Sequence, residues 1–257
     1  MFTTIAWWQS VNPANAYVQL AAPFDPTVFV QSPKIMCPLL NNVVLMSTGL
    51  ETTVQPRSRL VSPSLLTLDR WQICPFNNAA AAAVVPLSPP RYMDLRDSPI
   101  VLTPGEMLTN EILSNPAAAQ IQWTVICLAD GPIKVVAGKI YTVRLTSAVA
   151  VTAGAWSAIQ PVFDDQLPRG RYQLVGLRGQ SATVVALRAI IPGYAWRPGV
   201  LGSPNLQDAE FKYTRMGGMG VFGEFEDTAP PSIEWLCNAA DAAQIIFYDL
   251  IQVRSGP

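Results

Sequence analysis

In "QIQWTVICLADG", Ile121, Trp123, Val125 and Cys127 alternate with Gln120, Gln122 and Thr124. Successive side chains on a strand point to opposite faces, so this period of two predicts a strand with one buried face. "GKIYTVRLTS" repeats the pattern: Tyr141, Val143 and Leu145 share one side and Thr142, Arg144 and Thr146 the other, after a turn at Gly138 and Lys139. "SATVVALRAIIPG" differs, with apolar residues on both faces and Arg188 as its single charge, which predicts a strand covered on both sides. With "RYQLVGLRG" before it and "WRPGVLG" after it, the region reads as antiparallel strands at the short spacing of a β-sandwich. The last element, "DAAQIIFYDLIQVRSGP", places Ile245, Ile246, Asp249 and Leu250 where a helix could carry them. Its density of β-branched and aromatic residues favours a strand.

The first part of the chain is punctuated differently. Of the 23 prolines, 14 fall in residues 1–116, so helices cannot grow long there and the chain is broken into short extended pieces. "AYVQLAAPFDPTVFVQSP" and "LLNNVVLMSTGLETTVQPRSRLVSP" predict short strands, and "NNAAAAAVVPLSPPRY" a connector that Pro86, Pro89 and Pro90 keep from becoming a helix. This divides the chain into residues 1–97, a Pro-rich irregular β region, and residues 98–257, a β-sandwich. The expected fold class is all-β, an antiparallel sandwich of jelly-roll type, with the first region either a second jelly roll or an extended arm.

Composition narrows the function. Half of the 257 residues are hydrophobic and only 14% are charged, against about 25% in an ordinary soluble domain. No apolar run reaches the roughly 20 residues of a membrane helix, so the surplus apolar surface is expected to lie against other protein. Net charge is −1 with no basic block, which argues against sequence-specific nucleic-acid binding. The absence of histidine removes Ser-His-Asp and Cys-His catalysis and His-ligated zinc. Cys37, Cys74, Cys127 and Cys237 show no C-x-x-C spacing and read as buried free thiols. No cofactor and no metal are expected. The opening "MFTTIAWWQS" has neither a basic n-region nor a long apolar core, so no secretory signal is expected.

Candidate chemistry is sparse. Glu224 and Glu226 share a face if they lie on a strand, and with Asp164 or Asp165 they could form the acidic pair of a glycoside hydrolase; a charged rim is the alternative. Seven tryptophans could stack on sugars or anchor core and interface. In "MGGMGVFGEFEDTAPP", Gly218, Gly220 and Gly223 spell G-x-G-x-x-G, but a dinucleotide fingerprint needs a helix next, and Pro230 and Pro231 with no 3.6-residue period deny one. The stretch instead predicts a loop leading into a short strand, with Gly217, Gly218, Gly220 and Gly223 as hinges.

The stretch "DDQLPRGRYQLVGLRGQSATVVALRAIIPGYAWRPGVLG" at 164–202, with the upstream "SPIVLTPGEML" and "AGAWSAI", resembles β-rich virion structural proteins of tailless phages and their metagenomic relatives. The resemblance covers mainly positions 98–257 and rests on strands and turns, so it transfers no binding residue. It implies a jelly-roll coat subunit that tiles a shell, assembled in a host cytoplasm and located in the virion. The implied partners are copies of itself and other virion proteins. Trp7, Trp8, Trp196, Arg197, Phe222 and Phe225 are the expected contact residues. Three readings stay open: a self-assembling, non-enzymatic shell protein; a carbohydrate-binding sandwich using exposed tryptophans; and a glycoside hydrolase.

Overall fold

The computed structural model describes residues 1–50, 57–66, 76–78, 93–181, 183–201 and 218–255, with backbone alone for 76–78 and Leu201. The alanine-rich connector, Trp71, Cys74 and Gly217 lie outside the described residues. The described chain is all-β and antiparallel apart from one short parallel strand pairing and an isolated parallel bridge between Ala153 and Cys237, and it divides into two compact units, Thr3–Pro132 and Ile133–Pro257, the latter also taking Met1 and Phe2. Residues 98–132, which the sequence pattern groups with the C-terminal region, lie in the first unit because its last three strands come from them.

The first unit carries β1 (Phe2–Val11), β2 (Val18–Gln19), β3 (Val30–Gln31), β4 (Lys34–Met36), β5 (Asn42–Leu50), β6 (Arg57–Val61), β7 (Phe76–Asn78), β8 (Met93–Asp94), β9 (Ile100–Val101), β10 (Met107–Leu113) and β11 (Gln120–Ala129). One sheet runs β1-β11-β5, with β7, β8 and β9 all pairing β5; the other runs β2-β10-β4-β3, with β6 also on β10. Trp7, Ile35, Val43, Leu108, Ile112 and Ile126 are among the buried side chains of its core.

β11 departs from the one-sided burial its alternation predicts: Gln122 and Thr124 are as buried as Trp123 and Val125. Polar groups tolerate this only when paired. Thr48 Oγ1 donates to the Trp123 carbonyl (2.8 Å), Thr124 Oγ1 lies 3.1 Å from Ser58 Oγ, and Asn110 Nδ2 donates to Ser58 Oγ (2.8 Å). This hydroxyl network ties the sheet of β5 and β11 to that of β6 and β10, so the polar face of the strand is an interior face.

The second unit carries β12 (Ile140–Ser147), β13 (Ser157–Ile159), β14 (Gly170–Gln180), β15 (Val184–Ile190), β16 (Gly199–Leu201), β17 (Gly223–Glu226), β18 (Ser232–Cys237) and β19 (Gln244–Ser255). Its antiparallel pairs are nested: β15 with β16, β14 with β17, β13 with β18, and β12 with β19. These are the rungs of one long hairpin centred between β15 and β16. Rolling that hairpin sets β19 beside β14 and β18 beside β15, and the sheets become β12-β19-β14-β17 and β13-β18-β15-β16. That order is a jelly roll, two Greek keys wrapped into facing sheets. The first unit repeats the plan: β1 with β11, β2 with β10, and β5 with β8 and β9 are nested, while β11 also lies beside β5 and β6 beside β10.

β15 is buried along nearly its whole length, as its two-sided apolar pattern predicts. Its Arg188 is wholly buried; Nε donates to Glu234 Oε2 at 2.6 Å across the β15–β18 register, and its guanidinium lies 4.0 Å from the Trp156 ring centroid. The sheets meet closely at Gly179, where a Cβ would come within 2.9 Å of the Trp235 ring. The C-terminal element is a strand throughout, because β12 and β14 flank it on both edges and satisfy its backbone groups.

Candidate interaction surfaces

The side chains singled out by sequence separate into buried and accessible groups. Trp7 is fully buried and its Nε1 donates to the Pro33 carbonyl at 2.9 Å. Phe222 is buried edge-on to Phe2, with centroids 4.8 Å apart, and Phe225 stacks on Tyr172 at 5.8 Å. All three belong to the interior of their own chain: the aromatic signal that marks interface anchors also marks cores, and here the core takes them. Trp8, Trp196 and Arg197 keep partial exposure. Trp196 packs edge-on against Tyr194 (4.9 Å), and Arg197 donates to the Tyr194 carbonyl at 3.3 Å and lies 3.8 Å from Glu234. Among the other described tryptophans, Trp123 and Trp235 are buried and Trp8, Trp156 and Trp196 are half-buried.

The glycines of the G-x-G-x-x-G stretch have mechanical reasons to be glycine. Gly220 sits at φ +72° with its α-carbon against the Lys134 carbonyl, where a Cβ would approach to 2.9 Å. Gly223 opens β17 packed against Ile191, leaving no space for a side chain. Both are buried positions in which the backbone is held rather than hinged. A strand, not a helix, follows, so the geometry of a dinucleotide site is absent from this stretch.

The acidic candidates are held by neighbouring arginines. Glu224 Oε2 pairs with Arg171 at 2.5 Å and its Oε1 accepts from Gln173 at 2.8 Å. Asp164 accepts from Arg144 Nε, from Thr146 N (3.0 Å) and from Thr146 Oγ1 (3.0 Å). The Arg144 hydrogen bond, ahead of burial, holds the Asp164 carboxyl below its usual range, the opposite of what a general acid requires. Glu226 and Asp165 are exposed. Among the described residues no group of three or more carboxylates or thiols is arranged to hold a metal. Cys37, Cys127 and Cys237 are buried thiols in no disulfide, with burial pushing them up to about 11, about 12 and about 12.

Sequence reasoning missed a set of exposed apolar side chains. Phe24 and Leu39 are 80% and 85% exposed, Phe29 is 56% and Met36 38% exposed, and all four lie in the single segment between β2 and β5. The Met36 amide donates to the Phe29 carbonyl at 2.9 Å, so the β3–β4 hairpin holds two of them side by side on its backbone. The available signal was "APFDP" and "CPLL": bulky apolar residues in proline-bounded loops, belonging to no two- or 3.6-residue period. Val101 is a further exposed residue of the first unit, and Val135, Tyr141, Val149, Val162 and Val253 are exposed in the second.

No family model matches the chain, and no curated protein matches it. Among solved structures it is similar to the major capsid protein P2 from bacteriophage PM2, with 10% identity over 97% of each chain and a TM-score of 0.26. That superposition is too loose to add to the strand order. No helix among the described residues is long and apolar enough to cross a membrane.

Proposed function

We propose that this chain is a shell-forming structural subunit, a virion coat protein that acts by packing against copies of itself and not by turnover. The observation that carries the reading is the group of exposed apolar side chains, Phe24, Phe29, Met36 and Leu39, on one segment of a jelly-roll unit in a chain with few charges. Jelly rolls recur in capsids and lectins, with sheet edges kept short and broad faces available. Weighted by exposure, burying these four side chains contributes about 4–8 kcal/mol per subunit. Association costs about 4–15 kcal/mol in lost freedom, so one such contact is marginal and a subunit with several neighbours is favoured. Location in a virion, assembly in a host cytoplasm and contacts with other virion proteins belong to this same reading.

Sedimentation velocity and negative-stain imaging of the full chain test it. Closed or sheet-like assemblies are expected above a threshold concentration. The Phe24→Asp, Leu39→Asp double variant should stay monomeric with an unchanged far-UV spectrum. A wild-type chain that remains a monodisperse monomer across concentration and salt overturns the reading, as does normal assembly by the variant.

A further inference from the structure

A row of apolar side chains crosses the first unit where β3, β4 and β10 lie side by side. Met36 on β4 stands opposite Met107 on β10. The β3–β4 register pairs Val30 with Ile35 and Gln31 with Lys34, and one residue further it sets Phe29 opposite Met36, whose amide donates to the Phe29 carbonyl at 2.9 Å. Directly opposite residues share a face of a sheet, so Phe29, Met36 and Met107 form one row across three strands. Their neighbours Ile35 and Leu108 take the other face and are buried, at 1% and 0% exposure. The row is therefore on the outer face: Phe29 is 56% exposed, Met36 38%, and Met107 is half-buried.

Two members of this row are thioethers, and a thioether can change its polarity. Its sulfur takes up oxygen, which converts a flexible apolar side chain into a polar sulfoxide. With hydrogen peroxide as oxidant, the sulfur lone pair attacks a peroxide oxygen, the O–O bond breaks, an S=O bond forms, and the second oxygen leaves as water with both protons. Sulfur loses two electrons and the peroxide gains them. Accessibility decides which methionine reacts. Met46 and Met219 are buried, whereas Met36 presents its side chain to solvent in the subunit. The described thiols do not compete at neutral pH, because burial pushes Cys37, Cys127 and Cys237 up to about 11, about 12 and about 12 and leaves almost no thiolate to react.

We propose that Met36 and Met107 are an oxidation-sensitive element of the contact between copies: as thioethers they let the outer face of β3, β4 and β10 bury against a neighbour, and as sulfoxides they release it. The inference rests on the shell-forming reading, because that contact is what the sulfoxides disrupt. A sulfoxide oxygen closed against apolar side chains finds no donor, and burying an acceptor in that state opposes association. With two such groups per subunit, the threshold concentration for assembly rises by at least about tenfold. The fold itself is spared, since neither methionine belongs to the buried core of the unit.

Treating the full chain with dilute hydrogen peroxide at pH 7, quenching with catalase and following assembly by sedimentation velocity tests this, with peptide mass mapping to read each methionine. The dispersed subunit should gain oxygen at Met36 and Met107, keep its far-UV spectrum, and fail to assemble at concentrations where the untreated chain does. Methionine sulfoxide reductases acting on both sulfoxide epimers should restore assembly. The Met36→Leu, Met107→Leu variant keeps the face apolar at nearly the same volume and should assemble before and after peroxide. Preformed assemblies should oxidise more slowly at Met36 and Met107 than dispersed subunits, a comparison on the wild-type chain that stays decisive should the variant not fold. Assembly at an unchanged threshold with both sulfoxides in place, loss of assembly by the peroxide-treated variant, or equal oxidation rates in subunit and assembly overturns the inference and leaves the shell-forming reading standing. An untreated chain that never assembles overturns both.

Discussion

The buried pair Arg188–Glu234 gives the sharpest test of the packing of the second unit. Removing one member leaves the other charge buried, while removing both leaves apolar surface that can pack. Glu234→Leu removes the carboxylate that accepts from Arg188 Nε at 2.6 Å, where the guanidinium has 0% side-chain exposure. The expected loss is about 3–5 kcal/mol. Arg188→Met should cost less, about 1–3 kcal/mol, because Glu234 keeps 10% exposure and has Arg197 Nε 3.8 Å away. The Arg188→Met, Glu234→Leu double variant should return to within about 2 kcal/mol of wild type, since methionine and leucine fill the vacated volume without an unpaired charge. Urea unfolding followed by far-UV circular dichroism and tryptophan fluorescence reads the midpoints, and an unchanged m-value checks that the unfolded state is comparable. A double variant no more stable than Glu234→Leu alone refutes the reasoning, because it would mean that volume rather than charge burial governs the site.

Two further outcomes follow from positions where the chain has no slack. Gly223→Ala drives a Cβ into Ile191 Cδ1 in a closed interior and should cost about 1–3 kcal/mol; adding Ile191→Val, which deletes that methyl, should recover part of the loss in the same melt. A Gly223→Ala protein as stable as wild type would instead favour a mobile loop. Cys37, Cys127 and Cys237 should resist iodoacetamide at pH 8 in the folded protein and react fully in urea, as peptide mass mapping will read, because the thiolate is the nucleophile. Burial raises these thiols from an ordinary 9.0 to about 11, about 12 and about 12, so the folded chain binds more protons than the unfolded one above pH 9. Their contribution to stability is fully present below that pH and falls as pH rises toward 12. A denaturation midpoint that stays flat or rises between pH 9 and 11 contradicts this.

Local pattern fixed which segments are strands. The double-sided apolar run of Val184–Ile190 appears as a nearly fully covered strand, the β-branched C-terminal stretch as β19, and the described prolines before residue 116 lie between strands, although β1 and β5 there are ten and nine residues long. Composition also pointed to burial against other protein, and the lack of histidine removed whole classes of catalysis. Partnership was not legible, because a period of two states which face is apolar and nothing about which strand lies alongside. β12 and β19 pair across about a hundred residues only because the hairpin between them rolls up. For the same reason Gln122 and Thr124 looked solvent-facing until the fold brought Ser114 and the Val11 carbonyl to Gln122, and Thr48 and Ser58 to Thr124. Trp7 and Phe222 looked like contact residues until the sheets closed over them. Strand identity is a property of neighbours in sequence, whereas burial, pairing and sites are properties of neighbours in space, and only closure of the two jelly rolls decided the second.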